Sequence, residues 1–341
     1  MPEISFNDYY SRQILFRGIG AEGQRKLGDA RVAIAGCGAT GSAIASLLAR
    51  AGVGFLRIID RDYIEPSNLQ RQTLFDEADA AEFLPKAAAA AKRLSQCNSK
   101  VTIEPQIEDL TPGNVEALLG DCALIMDGTD NFETRYLIND YAISKGIPWI
   151  YTAAIGSVGV TMNILPGETA CVACMFPESQ RGAAETCDTA GILNAAVTAI
   201  GAKAAAEALK FFVGSKDLMR RTLLTQDLWW NDYAEIPADT VRADCRCCQQ
   251  REFPHLSGEN RPHISLCGRN SVQIHEKSKV IDLAGLEQRL AAHGAVRRNE
   301  FALRFWREPY EMTIFPDGRA IIKGTTDIGI ARSLYARFVG A

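Results

Sequence analysis

Gly36-Cys37-Gly38-Ala39-Thr40-Gly41 spells G-x-G-x-x-G between a run of β-branched and small residues, Val32 to Ala35, and an alanine-rich stretch. A turn of this kind suits a phosphate. The first glycine permits the tight turn, the second lets the backbone approach a pyrophosphate, and the third lets the following helix sit close on the strand. The helix N-terminus adds unpaired N–H groups and a positive dipole end. Asp60 closes a second expected strand, Phe55 to Ile59, where an acid that holds ribose hydroxyls is expected. Strand, turn, helix, strand and terminal acid agree, which favours a nucleotide site over glycines that merely serve helix packing. NAD, FAD and ATP all remain open at this point.

Other reactive side chains flank this unit. Arg12, in Tyr10-Ser11-Arg12-Gln13, and Arg71, in Asn68-Leu69-Gln70-Arg71-Gln72, are expected in polar loops near the mouth of the site. Lys86 precedes Ala87 to Ala91 and would set an ammonium at the rim of the cleft. Taken singly, each reads equally as a solvated surface cation. Asp130, within Asp127-Gly128-Thr129-Asp130-Asn131, follows the apolar run Ala123 to Met126 and so sits at the C-terminal end of a strand. Open α/β sheets hold ligands there; a helix N-cap is the lesser alternative for Asp130.

Two C-x-x-C knuckles, Cys171 with Cys174 and Cys245 with Cys248, have the composition of a tetrahedral four-thiolate zinc site. A closed site of this kind is structural and holds no catalytic position. The competing reading is a set of unliganded buried thiols. Cys187 lies in a polar loop just before the expected long helix Ile192 to Val213. A helix N-terminus lowers a thiol pKa, which favours a nucleophile. Cys37, Cys97, Cys122 and Cys267 read as packing residues.

The elements that must position these groups are a parallel α/β sheet followed by an antiparallel extension beginning near Val160 to Leu165. The composition shifts at Phe253-Pro254-His255, which predicts two domains, residues 1–252 and 253–341. The second is expected as a compact α+β module. Its expected parts are strands near Ile264 to Cys267 and Val280 to Asp282, a helix from Leu283 to His293, a hairpin at Pro316-Asp317-Gly318 and a closing helix Ile328 to Phe338. A net charge of −4 argues against a nucleic-acid partner. Asn194, Lys203, Glu207 and Lys210 interrupt the longest apolar segment, so no membrane span is expected; nor is a signal peptide, and the protein reads as cytoplasmic.

Taken in this order, the Tyr-Ser-Arg-Gln tetrad, glycine loop, Asp60, Asn-Leu-Gln-Arg-Gln run, Lys86, Asp127 to Asn131 and both knuckles resemble the ThiF/MoeB adenylyltransferases, bacterial relatives of the ubiquitin-activating enzymes. The resemblance covers about residues 6 to 250, and it implies a Rossmann-like sheet with helices on both faces and a structural zinc. The C-terminal module looks like the extension of a subset of thiazole-pathway members. The implied reaction is adenylation of the C-terminal Gly-Gly carboxylate of a ubiquitin-like sulfur carrier by ATP, with thiamine thiazole synthesis favoured over molybdopterin synthesis. By the same resemblance Asp60 holds the ribose, Asn68, Arg71 and Lys86 grip the phosphates, and Asp130 holds Mg²⁺. Arg12 would act as an arginine finger in a neighbouring subunit, which requires a homodimer. Cys187 matches a cysteine that in some relatives bonds to the carrier. Activation of a peptide C-terminus, an NAD-dependent oxidoreductase on the same βαβ unit and a non-catalytic scaffold are the alternatives.

Overall fold

The structure is a computed structural model, and it describes residues 6–177, 190–257, 271–275 and 280–340. Contacts divide the chain into two compact units, Met1–Glu259 and Asn260–Ala341.

In the first unit, β1 (Arg31–Ala35), β2 (Phe55–Ile59), β3 (Thr102–Gln106), β4 (Leu124–Asp127), β5 (Trp149–Ile155), β6 (Val158–Ile164), β7 (Thr222–Asp227) and β8 (Asp232–Pro237) form one sheet. Its order is β3-β2-β1-β4-β5-β6-β7-β8. Neighbours from β3 to β5 are parallel and those from β5 to β8 antiparallel. Parallel strands are covered on both faces, and this explains the unbroken apolar character of Leu124 to Met126 in β4 and of Val32 to Ala35 in β1. Val32 and Ile34 pack with Ile44, Leu48 and Ala204 on one face. On the other, Ala33 and Ala35 belong to the core of Leu119, Tyr136 and Tyr141. Helices Ala39–Ala51, Lys86–Cys97 and Asn194–Val213 therefore line the first face, and Val115–Leu119 and Phe132–Lys145 the second. Strand order reverses between β1 and β4, which opens a crevice at their C-terminal ends.

The N-terminal helix Phe6–Ile14 is fixed to the far ends of two of these helices. Tyr9 Oη donates to Cys97 O at 2.5 Å, and Asn98 Nδ2 donates to Tyr10 Oη and to Ala49 O, both at 2.7 Å. Gln13 Nε2 donates to Ala51 O at 2.8 Å. Gly52 ends helix Ala39–Ala51 at φ 83°, and a Cβ there would lie 2.6 Å from the Tyr10 ring.

The second unit holds β9 (Ser271–His275), β10 (Ala295–Arg298), β11 (Leu303–Arg307), β12 (Tyr310–Ile314) and β13 (Arg319–Lys323), an antiparallel sheet of order β10-β11-β12-β13-β9. Helices Leu283–Leu290 and Ile328–Phe338 share its core. Val280 to Asp282 is not a strand. Asp282 instead caps the first of these helices, Oδ1 accepting the Ala284 amide at 3.0 Å. The strand expected at 264–267 lies outside the described residues. Pro254–Ser257 stays with the first unit, because His255 stacks on Tyr136 and donates its amide to Asp140. Among the described residues no helix is long and apolar enough to cross a membrane.

Candidate functional site

The glycine loop leaves β1 at Gly36, whose φ of 89° suits glycine. Close packing dictates three of the local glycines. A Cβ on Gly36 would lie 2.6 Å from Gly128 O, and one on Gly41 or on Gly128 would collide with Gly36 O. Gly38 differs. A Cβ there would meet nothing of the protein nearer than Gly128 O at 3.8 Å and Gln72 Nε2 at 4.0 Å. The fold does not need that glycine, so the space above it fits the approach of a ligand. Gln72 faces the same space. It is buried, and its Oε1 has no hydrogen-bond partner among the described residues.

Asp60, at the end of β2, braces the loop. Its Oδ2 accepts the Cys37 amide at 2.6 Å and its Oδ1 the Asp62 amide at 2.8 Å. Burial pushes this carboxyl up, against the pull of Lys86 and of the two amides. Lys86 opens helix Lys86–Cys97 and is buried rather than at the rim of the cleft. Its Nζ lies 3.0 Å from Asp62 Oδ2. Burial works against the ammonium, but Asp62, Asp60 and Asp130 outweigh it and hold its pKa above the usual lysine range. Asp60, Lys86 and Asp130, far apart in sequence, thus share one electrostatic neighbourhood around the glycine loop.

Asp130 is exposed at the end of the β4 loop. It is not the helix cap. Asn131 fills that role for helix Phe132–Lys145, its Oδ1 accepting the Thr134 amide at 2.8 Å. The loop is held from beneath by buried Arg135, whose Nε donates to Asp127 Oδ2 at 2.9 Å and whose Nη2 donates to Thr129 O at 2.6 Å. Asn68 and Arg71 lie in the segment before Gln72. Asn68 is buried with its Oδ1 accepting the Glu65 amide at 3.2 Å, and Arg71 Nη1 donates to Ser67 O at 2.8 Å.

Arg12 is exposed on a helix rather than in a loop. That helix rests on the C-terminal ends of helices Ala39–Ala51 and Lys86–Cys97, whereas the glycine loop and Lys86 are at their N-terminal ends. The first of these helices has 13 residues, a length of about 20 Å. The chain therefore does not bring Arg12 to its own glycine loop. Cys187 lies outside the described residues.

The two knuckles meet. Cys171 Sγ is 3.8 Å from Cys174 Sγ and 3.7 Å from Cys245 Sγ, and Cys174 Sγ is 3.9 Å from Cys248 Sγ. All four sulfurs fall within 4.8 Å of one another. Four thiolates at about 2.3 Å from a tetrahedral zinc would be about 3.8 Å apart, so the donor set and spacing fit that ion. Cys37 and Cys122 are buried, consistent with packing, while Cys97 is only partly so.

Asp62, Gln72, Gly128 and Arg135 escaped the sequence reading. Gln72 and Gly128 sat inside runs already singled out, and Asp62 stands two residues from Asp60. Nothing in the sequence marked Arg135, because its role depends on a helix folding back onto β4.

The chain is also similar to known proteins. The chain is 43% identical over 335 residues to the Bacillus subtilis sulfur carrier protein ThiS adenylyltransferase, covering 97% of this chain and 99% of that protein. It is 36% identical over 246 residues to a Thermus thermophilus sulfur carrier protein adenylyltransferase, covering 70% and 89% respectively. The fold is similar to that of E. coli MccB crystallised with ATP, with a TM-score of 0.62, 24% identity, and coverage of 71% of this chain and 75% of that one. The ThiF family model matches residues 10–247, and the chain belongs to the ThiF family.

Proposed function

We propose that the chain is an ATP-dependent adenylyltransferase acting on the C-terminal Gly-Gly carboxylate of a ubiquitin-like sulfur carrier. The observation that carries this reading is the convergence of Asp60, Lys86 and Asp130 on the glycine loop. A hydride-transfer site on the same βαβ unit does not by itself account for Arg12, Arg71, Lys86 and Asp130 as one set. Likeness to the B. subtilis enzyme over nearly the full length of both chains, the C-terminal unit included, favours a carrier of thiazole synthesis.

A carboxylate is a weak nucleophile and the triphosphate is densely anionic, so catalysis is positioning plus cationic stabilisation. In this reading the carrier's carboxylate oxygen attacks the α-phosphorus, the α–β phosphoanhydride bond breaks, and pyrophosphate leaves with its electron pair. Loop amides cradle the phosphates and Asp60 takes the ribose hydroxyls. Asn68 donates a hydrogen bond to the phosphate oxygens, and Arg71 and Lys86 neutralise their charge. Lys86 is already held by Asp62, so its ammonium needs little reorganisation when the substrate arrives. Asp130 would hold Mg²⁺, which supplies charge neutralisation across the phosphates when bound. Arg12 acts on the nucleotide of a second copy in a homodimer, and the length of helix separating it from its own loop supports that role.

Cys171, Cys174, Cys245 and Cys248 would hold zinc in a closed structural site. Cys187 matches a cysteine that bonds to the activated carrier in some relatives and is dispensable in others, and adenylation itself is not expected to require it. The chemistry belongs to the first unit, Met1–Glu259, and the α+β unit Asn260–Ala341 contacts the carrier or a pathway partner. Magnesium-dependent exchange of pyrophosphate into ATP in the presence of a carrier tests the reading.

A further inference from the structure

Helix Phe132–Lys145 is bonded at neighbouring turns to two different centres. Arg135 holds the loop that ends in Asp130, through Asp127 and Thr129. Four residues later, on the same face, Asn139 is fully buried and reaches both cysteine knuckles. Its Oδ1 accepts the Val172 amide, next to Cys171, at 3.0 Å. Its Nδ2 donates to Cys247 Sγ at 3.3 Å. Asp140, also fully buried, accepts from Arg246 Nη1 of the second knuckle at 3.2 Å and from the His255 amide at 3.2 Å. Tyr136 Oη donates to Phe176 O, just beyond the first knuckle.

We infer that Asn139 is a positioning residue that couples the four-cysteine site to the Asp127–Asp130 loop. Apolar packing buries this helix but is non-directional and leaves small rotations and axial shifts open. The Asn139 amide removes that freedom, because both its ends are spent on segments that move with the knuckles. Arg135, about 6 Å along the same axis, carries the resulting register to Asp127 and Thr129. Asp130 also lies within electrostatic reach of Arg135. A cluster closed around a metal and a loop closed around magnesium and nucleotide therefore favour the same helix position. The inference rests on the zinc and nucleotide readings above, and linkage makes it reciprocal: each ligand tightens the other by the same factor.

The test is the zinc dissociation constant of the full-length protein, measured by competition with a chelator of known affinity, without and with saturating magnesium and ATP. The wild type is expected to bind zinc about fivefold or more tightly when Mg·ATP is present. Asn139→Leu, which keeps the number of heavy atoms and the branching and removes both hydrogen bonds, is expected to bind zinc more weakly, with no difference between the two conditions. An unchanged wild-type constant in a protein shown separately to bind both ligands overturns the coupling, and this arm needs no variant. Full linkage retained in Asn139→Leu overturns the assignment to Asn139. Absence of zinc on metal analysis, or of ATP binding, would instead remove the reading on which the inference stands.

Discussion

Asn131 accepts the Thr134 amide hydrogen at 2.8 Å, so the helix behind the β4 loop is capped by the residue after Asp130 and not by Asp130 itself. Asn131 thus carries the cap, which leaves Asp130 for the magnesium role proposed above. Asn131→Ala should cost about 1 kcal/mol of stability. Asp130→Ala, at an exposed position, should change stability by less than about 0.5 kcal/mol and abolish adenylate formation. Denaturant unfolding and adenylate assays on both variants check this, and a fully active Asp130→Ala protein would remove the magnesium assignment.

The glycines separate in the same manner. Gly38→Ala places its methyl group in ordinary van der Waals contact with Gly128 and Gln72, and should leave the melting temperature nearly unchanged while weakening ATP binding about tenfold or more, a loss of about 1.4 kcal/mol. Gly41→Ala drives a methyl group into Gly36 O and should destabilise the protein or prevent folding. Calorimetric ATP titration and thermal melts distinguish the two. Equal effects on stability would mean that Gly38 serves packing after all.

Arg12 and Asp130 should act from different subunits. Mixed Arg12→Ala and Asp130→Ala proteins, each inactive alone, should regain about a quarter of wild-type activity after subunit exchange, because random association makes about half of the dimers hybrid and about half of the sites in each hybrid contain both residues. Recovery would be read by pyrophosphate exchange, with exchange of subunits verified by tagged copies. No recovery would place Arg12 outside the neighbouring site.

The acid limb of stability has a named contributor. Hydrogen bonds from Arg57, and then from Arg31, hold Asp121 at about 2, below the usual carboxylate value of 3.8. A depressed carboxylate stabilises the fold above its unfolded pKa, and that stability is lost as pH falls through the folded value. Asp121 is half exposed, so after solvent screening the contribution is about 1 kcal/mol. Wild type should therefore exceed Asp121→Asn by about that amount at neutral pH, and the gap should close progressively below about pH 4. Urea denaturation across that range would show it; a gap independent of pH would mean that packing, not charge, is what the substitution removes.

Legibility in the sequence followed the range of the interactions involved. The glycine loop, Asp60 and the C-terminal ends of the strands are local patterns, and spacing alone locates them. The cysteine knuckles are two local pairs whose meeting needs the fold, yet their composition announces it. The burial of Lys86 was not legible, because its partner Asp62 approaches from a separate loop. Arg135 and Asn139 were silent for the same reason: an arginine and an asparagine in a helix acquire roles only when β4 and the knuckles pack against them. In the C-terminal unit, the expected strand at Val280 to Asp282 gave way to an Asp cap, since a short apolar run beside an aspartate fits either use.

The most direct measurement is ATP–pyrophosphate exchange with magnesium, run with and without a small ubiquitin-like carrier ending in Gly-Gly. The account predicts exchange that requires the carrier and its free terminal carboxylate, and that disappears when the carboxylate is amidated. A protein that binds ATP yet shows no exchange with the carriers of thiazole and molybdopterin synthesis would contradict it.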